Sequence, residues 1–187
     1  MKWKSFIGLW IVPSFPYVIW LNHKYLATPK DKWDLSAETA SWNERLGEVT
    51  EIQWLAINKI HGDNQARVSS FDAKAIGVLT AAAILAAIAT FACQGPLLAA
   101  WLGAFDILFI LSGGLAGGRV LVLEELPVLF LDDTTGPTHG AAEMAAFSHI
   151  LHTAAIRKAN LISGSLNDLA RAAVITCLAL IALRLHW

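Results

Sequence analysis

The chain has 187 residues, of which 56% are hydrophobic and only 16% are charged. Soluble domains carry about a quarter charged residues, so the composition excludes an ordinary soluble domain and predicts an all-α integral membrane protein. The formal net charge of −1 gives no overall field that would favour nucleic acid or an acidic surface.

A short hydrophobic segment follows the basic start of the chain. Residues 6–21 are apolar and rich in aromatic side chains, but Pro13 and Pro16 would break a straight helix. The segment is also shorter than the ~20 residues that a membrane span needs. Residues 1–35 are therefore predicted to form a hydrophobic anchor and a polar loop. The anchor either crosses the membrane as a kinked helix or lies on its surface.

An amphipathic helix is predicted over residues 36–72. Ser36 is a suitable N-cap. Apolar residues then recur at helical spacing, at Trp42, Leu46, Val49, Ile52, Ala56 and Ile60. Such a stripe is typical of a soluble helix that packs against a partner helix. Gly62, Asp63 and Asn64 mark a point where this helix could be interrupted.

Three membrane spans are predicted, over residues 75–93, 97–118 and 171–186. The first is rich in alanine, which lets neighbouring helices approach closely. The second ends in two overlapping GxxxG patterns, formed by the pair Gly113 and Gly117 and the pair Gly114 and Gly118. In a membrane these patterns favour close helix packing. In the third, Arg171 and Arg184 can extend to the headgroups.

The remaining segments are polar enough to lie outside the bilayer. Residues 119–138 are expected to form a loop or an interfacial segment, because Glu124 and Glu125 would be costly in lipid. A helix is predicted over residues 139–170, running on into the third span. Basic residues flank the spans on one side, so the positive-inside rule puts residues 22–74 and 119–171 in the cytoplasm. Helices 36–72 and 139–170 would then form a cytoplasmic helical stalk.

Asp72 and Lys74 stand at the polar start of the first span. Lys74 can extend to the lipid headgroups, and Asp72 suits the wet region as a cap or a partner. The two residues are therefore predicted to mark the membrane boundary.

The order of these segments resembles the Pycsar-type transmembrane effector family, small membrane proteins of bacterial antiviral systems. Asp72, Lys74 and Ala75 match its Asp-x-Lys-Ala motif at the first span, and Lys158 with Ala172 or Ala173 matches its later lysine-bearing helix. The resemblance covers residues 38–187 and implies a transmembrane effector domain over residues 36–187. It also implies a partner enzyme that makes a nucleotide signal, and disruption of the inner membrane.

Asp106 lies about ten residues from either end of the second span. A carboxylate inside a membrane is costly and usually faces a bundle interior, a partner or water. One interpretation is a hydrogen bond between helices, with Thr80, Thr90 or Thr176 as the partner. The other is a pore-lining or gating role in a homo-oligomer, since three spans are too few to enclose a wide aqueous path. A third is that Asp106 lies closer to the surface.

Direct binding of a nucleotide or oligonucleotide would need cations and aromatic rings on the polar helices. The candidates are Arg67, Arg157, Lys158, Trp42 and Trp54. The alternative is that the three cations are solvated or paired with Glu44, Glu48 and Glu51. No other cofactor is expected.

Metal and catalytic signatures are weak. His139 with Glu143, and His149 with His152, have helical spacing, but no HExxH, CxxC or P-loop motif occurs in the sequence. Neither a metal site nor an enzyme is therefore predicted, and Cys93 and Cys177 are expected to act as small hydrophobic residues.

Two functional hypotheses follow. The first is an effector of a nucleotide-signalled antiphage system in the bacterial inner membrane, acting as a homo-oligomeric ion channel or membrane-depolarising assembly. The alternative is a non-catalytic subunit of a larger membrane complex, which the long amphipathic helices and the eight tryptophans would also suit. A membrane enzyme ranks third.

Overall fold

The computed structural model describes residues 34–121 and 137–185, and of residues 137–139 only the backbone. Within these ranges the chain forms four helices and no strand: α1 (Leu35–Leu46), α2 (Glu51–Ala92), α3 (Leu97–Leu121) and α4 (Pro137–Leu185). This confirms an all-α protein. Helices α2, α3 and α4 are long and apolar enough to cross a membrane, as predicted. The anchor at residues 6–21 and the segment holding Glu124 and Glu125 lie outside the described residues.

The single helix predicted over residues 36–72 is two helices. Asp34, and not Ser36, caps α1, because its carboxylate accepts hydrogen bonds from the backbone amides of Ser36 and Ala37. The chain then turns at Gly47, whose φ of 55° favours a residue without a Cβ atom.

A capping box explains where α2 begins. The backbone amide of Thr50 donates to Oε1 of Gln53 at 2.9 Å, and the amide of Gln53 donates back to Oγ1 of Thr50 at 3.4 Å. The predicted interruption at residues 62–64 is wrong, because α2 passes through them unbroken. The break between α1 and α2 also divides the apolar stripe, and Ile52 is left 80% exposed.

The chain divides into two compact units. The apolar unit comprises, of the described chain, residues 75–119 and 161–185. The polar unit comprises residues 34–74, 120–121 and 137–160. Helices α2 and α4 each contribute residues to both units, and the continuous helix expected from residue 139 onward is present in α4.

The core of the apolar unit is rich in alanine, and many of its large apolar side chains lie on the outside. Its core holds Ala82, Ala89 and Ala172 together with Phe109 and Ile110, whereas Trp101 is 70% exposed. A Cβ atom added at Gly103 would lie 2.8 Å from the carbonyl oxygen of Ala89, so α3 approaches the backbone of α2 closely at this point. Large apolar side chains on the outside suit a lipid environment.

The polar unit has a small hydrophobic core of its own. Val68, Leu151 and Ala155 are buried there, and Phe71 and Phe147 pack against them. Beside this core, Nδ2 of Asn64 donates to the hydroxyl of Ser148 at 2.9 Å and to its backbone carbonyl at 3.1 Å. These bonds satisfy a buried amide and join α2 to α4 within the unit.

Candidate functional site

The apolar unit contains two carboxylates in its described residues, Asp106 on α3 and Asp168 on α4. Both side chains are buried, with 0% and 1% of their surface exposed. Residues 75–92 of α2, which also belong to this unit, carry no Asp, Glu, Lys, Arg or His. The buried polar chemistry of the unit is therefore concentrated between α3 and α4.

Asp106 is held by one hydroxyl from the neighbouring helix. Oγ1 of Thr176 donates to Oδ2 of Asp106, while Oδ1 is buried without a hydrogen-bond partner among the residues that the structure describes. Thr80 and Thr90, the other predicted partners, donate instead to the backbone carbonyls of Ile76 and Ala86 on their own helix.

This geometry favours the interpretation of Asp106 as a hydrogen-bonding residue between helices. A carboxylate that lines the axis of an oligomer would lie on the surface of each chain, and Asp106 is fully buried within its own chain. Burial within the chain does not define depth in a membrane, so the shallower position stays a prediction. The gating role remains a prediction.

Asp168 forms a second polar contact that the sequence did not reveal. The hydroxyl of Ser112 donates to its Oδ2 at 3.0 Å, and Nη1 of Arg171 lies 4.0 Å from its Oδ1. Ser165 adds a third contact between the helices by donating to the backbone carbonyl of Gly113. Because Ser112 lies inside the predicted second span, these contacts place Asp168 beside that span. Asp168 precedes the predicted third span, which starts at residue 171, so the sequence did not suggest that it lies against the second span.

The glycines of the second span pack inside the chain. A Cβ atom at Gly117 would lie 2.7 Å from Cγ1 of Val78, and one at Gly113 would lie 3.1 Å from Cγ of Leu169. Gly114 and Gly118 are looser, with Ala82 and Leu79 at 3.7 and 4.0 Å. Gly113 and Gly117 therefore serve helix packing within the chain, whereas Gly114 and Gly118 are only partly covered by α2.

The two family-motif positions meet in the polar unit. Nζ of Lys158 donates to Oδ1 of Asp72 at 2.5 Å, and the side chains are 9% and 39% exposed. Asp72 is thus a partner rather than a cap, and Lys158 pairs with it and not with Glu44, Glu48 or Glu51. Lys74 is exposed and lies over the ring of Phe71 at 5.1 Å.

The polar unit also contains a cavity of about 430 Å³. Two of the predicted ligand-binding residues, Trp42 and Arg67, line it, whereas Trp54, Arg157 and Lys158 do not. Its remaining walls come from α2 and α4. The full lining is Trp42, Ile57, Ile60, Asp63, Asn64, Arg67, Ala145, Ser148, His149 and His152.

The cavity combines apolar walls with a few polar groups, as small-molecule sites commonly do. Arg67 is exposed and supplies a cation, and Ser148 and Asn64 supply polar groups that already bond to each other. The guanidinium of Arg45 lies 5.6 Å from the Trp42 ring, and Nδ1 of His149 lies 3.8 Å from Oε2 of Glu38. His149 and His152, whose helical spacing gave a weak metal signature in the sequence, both line this cavity.

Comparison with known proteins adds no identity to this geometry. No protein-family model, no curated protein and no solved structure matches the chain. In residues 34–121 and 140–185, no group of three or more His, Cys, Asp and Glu side chains is placed to hold a metal ion. The roles of the buried carboxylates and of the cavity must therefore be inferred from their own contacts.

Proposed function

We propose that the chain is the membrane effector of a bacterial nucleotide-signalled antiphage system and that it dissipates the potential of the inner membrane. The observation that carries this proposal is the burial of Asp106 and Asp168 inside an apolar unit. Ionisable residues inside a membrane are rare because they are costly, and they commonly mark ion pathways and proton relays. The resemblance of residues 38–187 to the Pycsar-type effectors supports the same function.

The membrane location is supported by the outward surface of the apolar unit. Trp101, Leu111 and Leu115 are exposed on α3, and Ile181 is exposed on α4. Water would penalise such a surface by about 25 cal/mol for each Å², whereas lipid would not. The basic residues near the spans favour a cytoplasmic location for the polar unit.

The cavity of the polar unit is the proposed receiver of the signal. Trp42 offers a flat ring and Arg67 a cation, the two groups that a base and a phosphate would use. The ligand would be a nucleotide made by a partner enzyme. Lys158 takes no part in this site, since Asp72 already holds it.

Assembly of several copies remains part of the proposal. Three spans enclose little space, and closed symmetry is the usual form of a homo-oligomer. The exposed apolar side chains on α3 are a surface available for a second copy within the membrane.

A measurement of membrane potential in bacteria tests the proposed function. Cells expressing the chain would be stained with a potential-sensitive dye, with and without the four 3′,5′-cyclic ribonucleotides that nucleotide cyclases make. We expect loss of potential in one of these states, and a smaller loss with Asp106→Asn. A normal potential in both states, with the protein verified in the membrane, would count decisively against the effector function.

Labelling of a single cysteine tests the proposed topology. Asp63 is exposed in the polar unit, so a cysteine there, in a chain with Cys93 and Cys177 changed to Ala, is accessible to a polar thiol reagent. We expect reaction only after the inner membrane is permeabilised. Reaction in intact spheroplasts would place the polar unit on the outer side.

The alternative function, a non-catalytic subunit of a larger membrane complex, has one observation in its favour. Ile52 and Leu55 of the polar unit are 80% and 60% exposed, although water penalises such side chains. Purification in mild detergent separates the two functions. An assembly that contains only this chain supports the effector, and constant co-purification with stoichiometric partners supports the subunit.

A further inference from the structure

We infer that protons are the ion that the apolar unit conducts, and that Asp106 and Asp168 bind them in turn between helices α3 and α4. This inference rests on the proposed depolarising function and names the ion and its path. It differs from a ring of carboxylates around a symmetry axis, because both groups are buried inside one chain.

The two carboxylates lie at successive positions along one pair of helices. Asp106 meets Thr176, and six residues along α3 Ser112 meets Asp168. Six residues of α-helix rise about 9 Å, so the two sites stand at different depths of the same pair. Each carboxylate also has a hydroxyl partner, which can both donate and accept a hydrogen bond.

A proton suits these sites better than a hydrated metal cation. Potassium-selective filters use rings of carbonyl oxygens that replace the water around the ion, and other cation channels use rings of carboxylates. Oδ2 of Asp106 has one hydroxyl partner, and its Oδ1 is buried with none among the described residues.

Burial also gives a physical reason for Asp106 to bind a proton. No lysine, arginine or histidine within 4.0 Å pairs with Asp106 in the described residues, whereas Arg171 pairs with Asp168. An uncompensated carboxylate in an apolar interior is costly. A proton removes the charge by forming a covalent O–H bond, and the same bond can later break to water.

The transfer is balanced at each step. A hydronium ion on one side gives its proton to an oxygen of Asp168 and becomes water, and the new O–H bond makes a neutral acid. That bond then breaks, and an intervening chain of about two or three water molecules delivers a proton to Oδ1 of Asp106. Asp106 releases a proton to water on the other side, and both groups return to carboxylates.

The interval between the two sites is apolar. Phe109, Leu169 and Ala172 are buried in the same core. Water entering this interval would meet few polar partners, so the bridging waters are present only transiently. Proton conduction is therefore expected to be slow and to depend on the packing of these three side chains.

Flux measurements in vesicles test the inference. The full chain would be reconstituted in phosphatidylcholine vesicles that hold a pH-sensitive dye, with a potential set by a potassium gradient and valinomycin. Parallel vesicles would hold a sodium indicator. Both would be measured with and without the four 3′,5′-cyclic ribonucleotides. We expect proton entry without matching sodium entry, and a decrease of at least about tenfold in Asp106→Asn and in Asp168→Asn.

Matched variants separate proton transfer from loss of fold. Glu48→Gln removes an exposed carboxylate of the polar unit and should leave proton entry unchanged. Thr176→Val removes the hydroxyl partner of Asp106 and should decrease proton entry, while Thr176→Ser should retain it. Circular dichroism verifies that each variant keeps its helices.

The outcomes are distinct. Proton entry that both Asn variants leave unchanged would overturn the inference. Comparable entry of sodium and protons would also overturn it, while leaving the proposed depolarising function intact. Entry of no ion in any state would remove the proposed function and the inference together.

Discussion

The apolar unit exposes large apolar side chains, such as Trp101 and Leu115, and buries the carboxylates of Asp106 and Asp168. The polar unit does the reverse. It buries Val68 and Leu151 and exposes the carboxylates of Glu44 and Glu51. The same long helices, α2 and α4, contribute to both arrangements. These four carboxylates are therefore buried in one unit and exposed in the other, although the same helices run through both.

This contrast indicates that the two units are adapted to different surroundings. Water stabilises the burial of apolar side chains, whereas in lipid the polar groups must find partners inside the protein. The polar contacts differ accordingly. Asp106 and Asp168 accept from hydroxyls in a buried setting, and the Lys158–Asp72 ion pair keeps one partner 39% exposed.

The largest expected effect is an asymmetry within the ion pair of the polar unit. Asp72→Ala leaves the Lys158 ammonium buried without its partner and should decrease the free energy of unfolding by about 3 kcal/mol. Lys158→Ala leaves Asp72, which water already reaches, and should cost only about 1 kcal/mol. Unfolding in detergent micelles measures both values.

The double variant Asp72→Leu/Lys158→Met completes this test. It replaces both charges with apolar groups and should recover most of the loss, because a buried pair exchanged for apolar residues is often close to neutral. Equal losses for the two single variants would show that Lys158 is not held mainly by Asp72.

The next largest effect on stability is expected in the apolar unit, where α3 approaches α2 closely. Gly103→Ala would place a Cβ atom 2.8 Å from the carbonyl oxygen of Ala89. Because backbone cannot rotate away, we expect a loss of about 2 kcal/mol. Gly114→Ala is the control, since its Cβ atom would lie 3.7 Å from Cβ of Ala82, and it should be neutral. Thermal unfolding compares the two, and an equal response would contradict the close approach.

A threonine pair gives a smaller effect in the same unit. Thr176→Val removes the donor to Asp106 and should decrease the free energy of unfolding by about 1.5 kcal/mol. Thr90→Val removes an exposed hydroxyl that bonds only to the carbonyl of Ala86, so it should be close to neutral. Unfolding of both variants under identical conditions measures the difference, and no difference would argue against the bond between the helices.

The smallest effect concerns pH at the start of α1 in the polar unit. The hydrogen bond from the Ser36 hydroxyl, with those from the Ala37 and Ser36 amides, lowers the pKa of Asp34 below its ordinary value of 3.8. The stabilisation is therefore complete above the ordinary value and is lost as the pH falls through the lowered pKa. We expect faster amide exchange at Ser36 and Ala37 in that acidic range.

Asp34→Asn is the matched control for this pH dependence. Asparagine also caps helices but does not titrate, so its amide exchange should show no added acid-dependent opening at this end of α1. An identical pH response in both proteins would assign the effect to another group.

The helical class and the approximate membrane spans follow from the sequence, because long apolar runs leave few alternatives to helices. The break between α1 and α2 was not predicted, although its signals are in the sequence. They are Gly47 and the Thr50–Gln53 capping box. The continuation through residues 62–64 was not readable, because helices joined to long neighbours can include unfavourable residues.

Which residues of different helices meet could not be predicted from the sequence and depends on how the helices pack. Asp106 had three candidate threonines on equal grounds, and the antiparallel register of α3 and α4 selected Thr176. The same register brought Asp168 to Ser112 and covered Gly113 and Gly117. These contacts join residues more than 35 positions apart in the chain. Spacing along one helix specifies a face, but it does not specify which neighbouring helix covers that face.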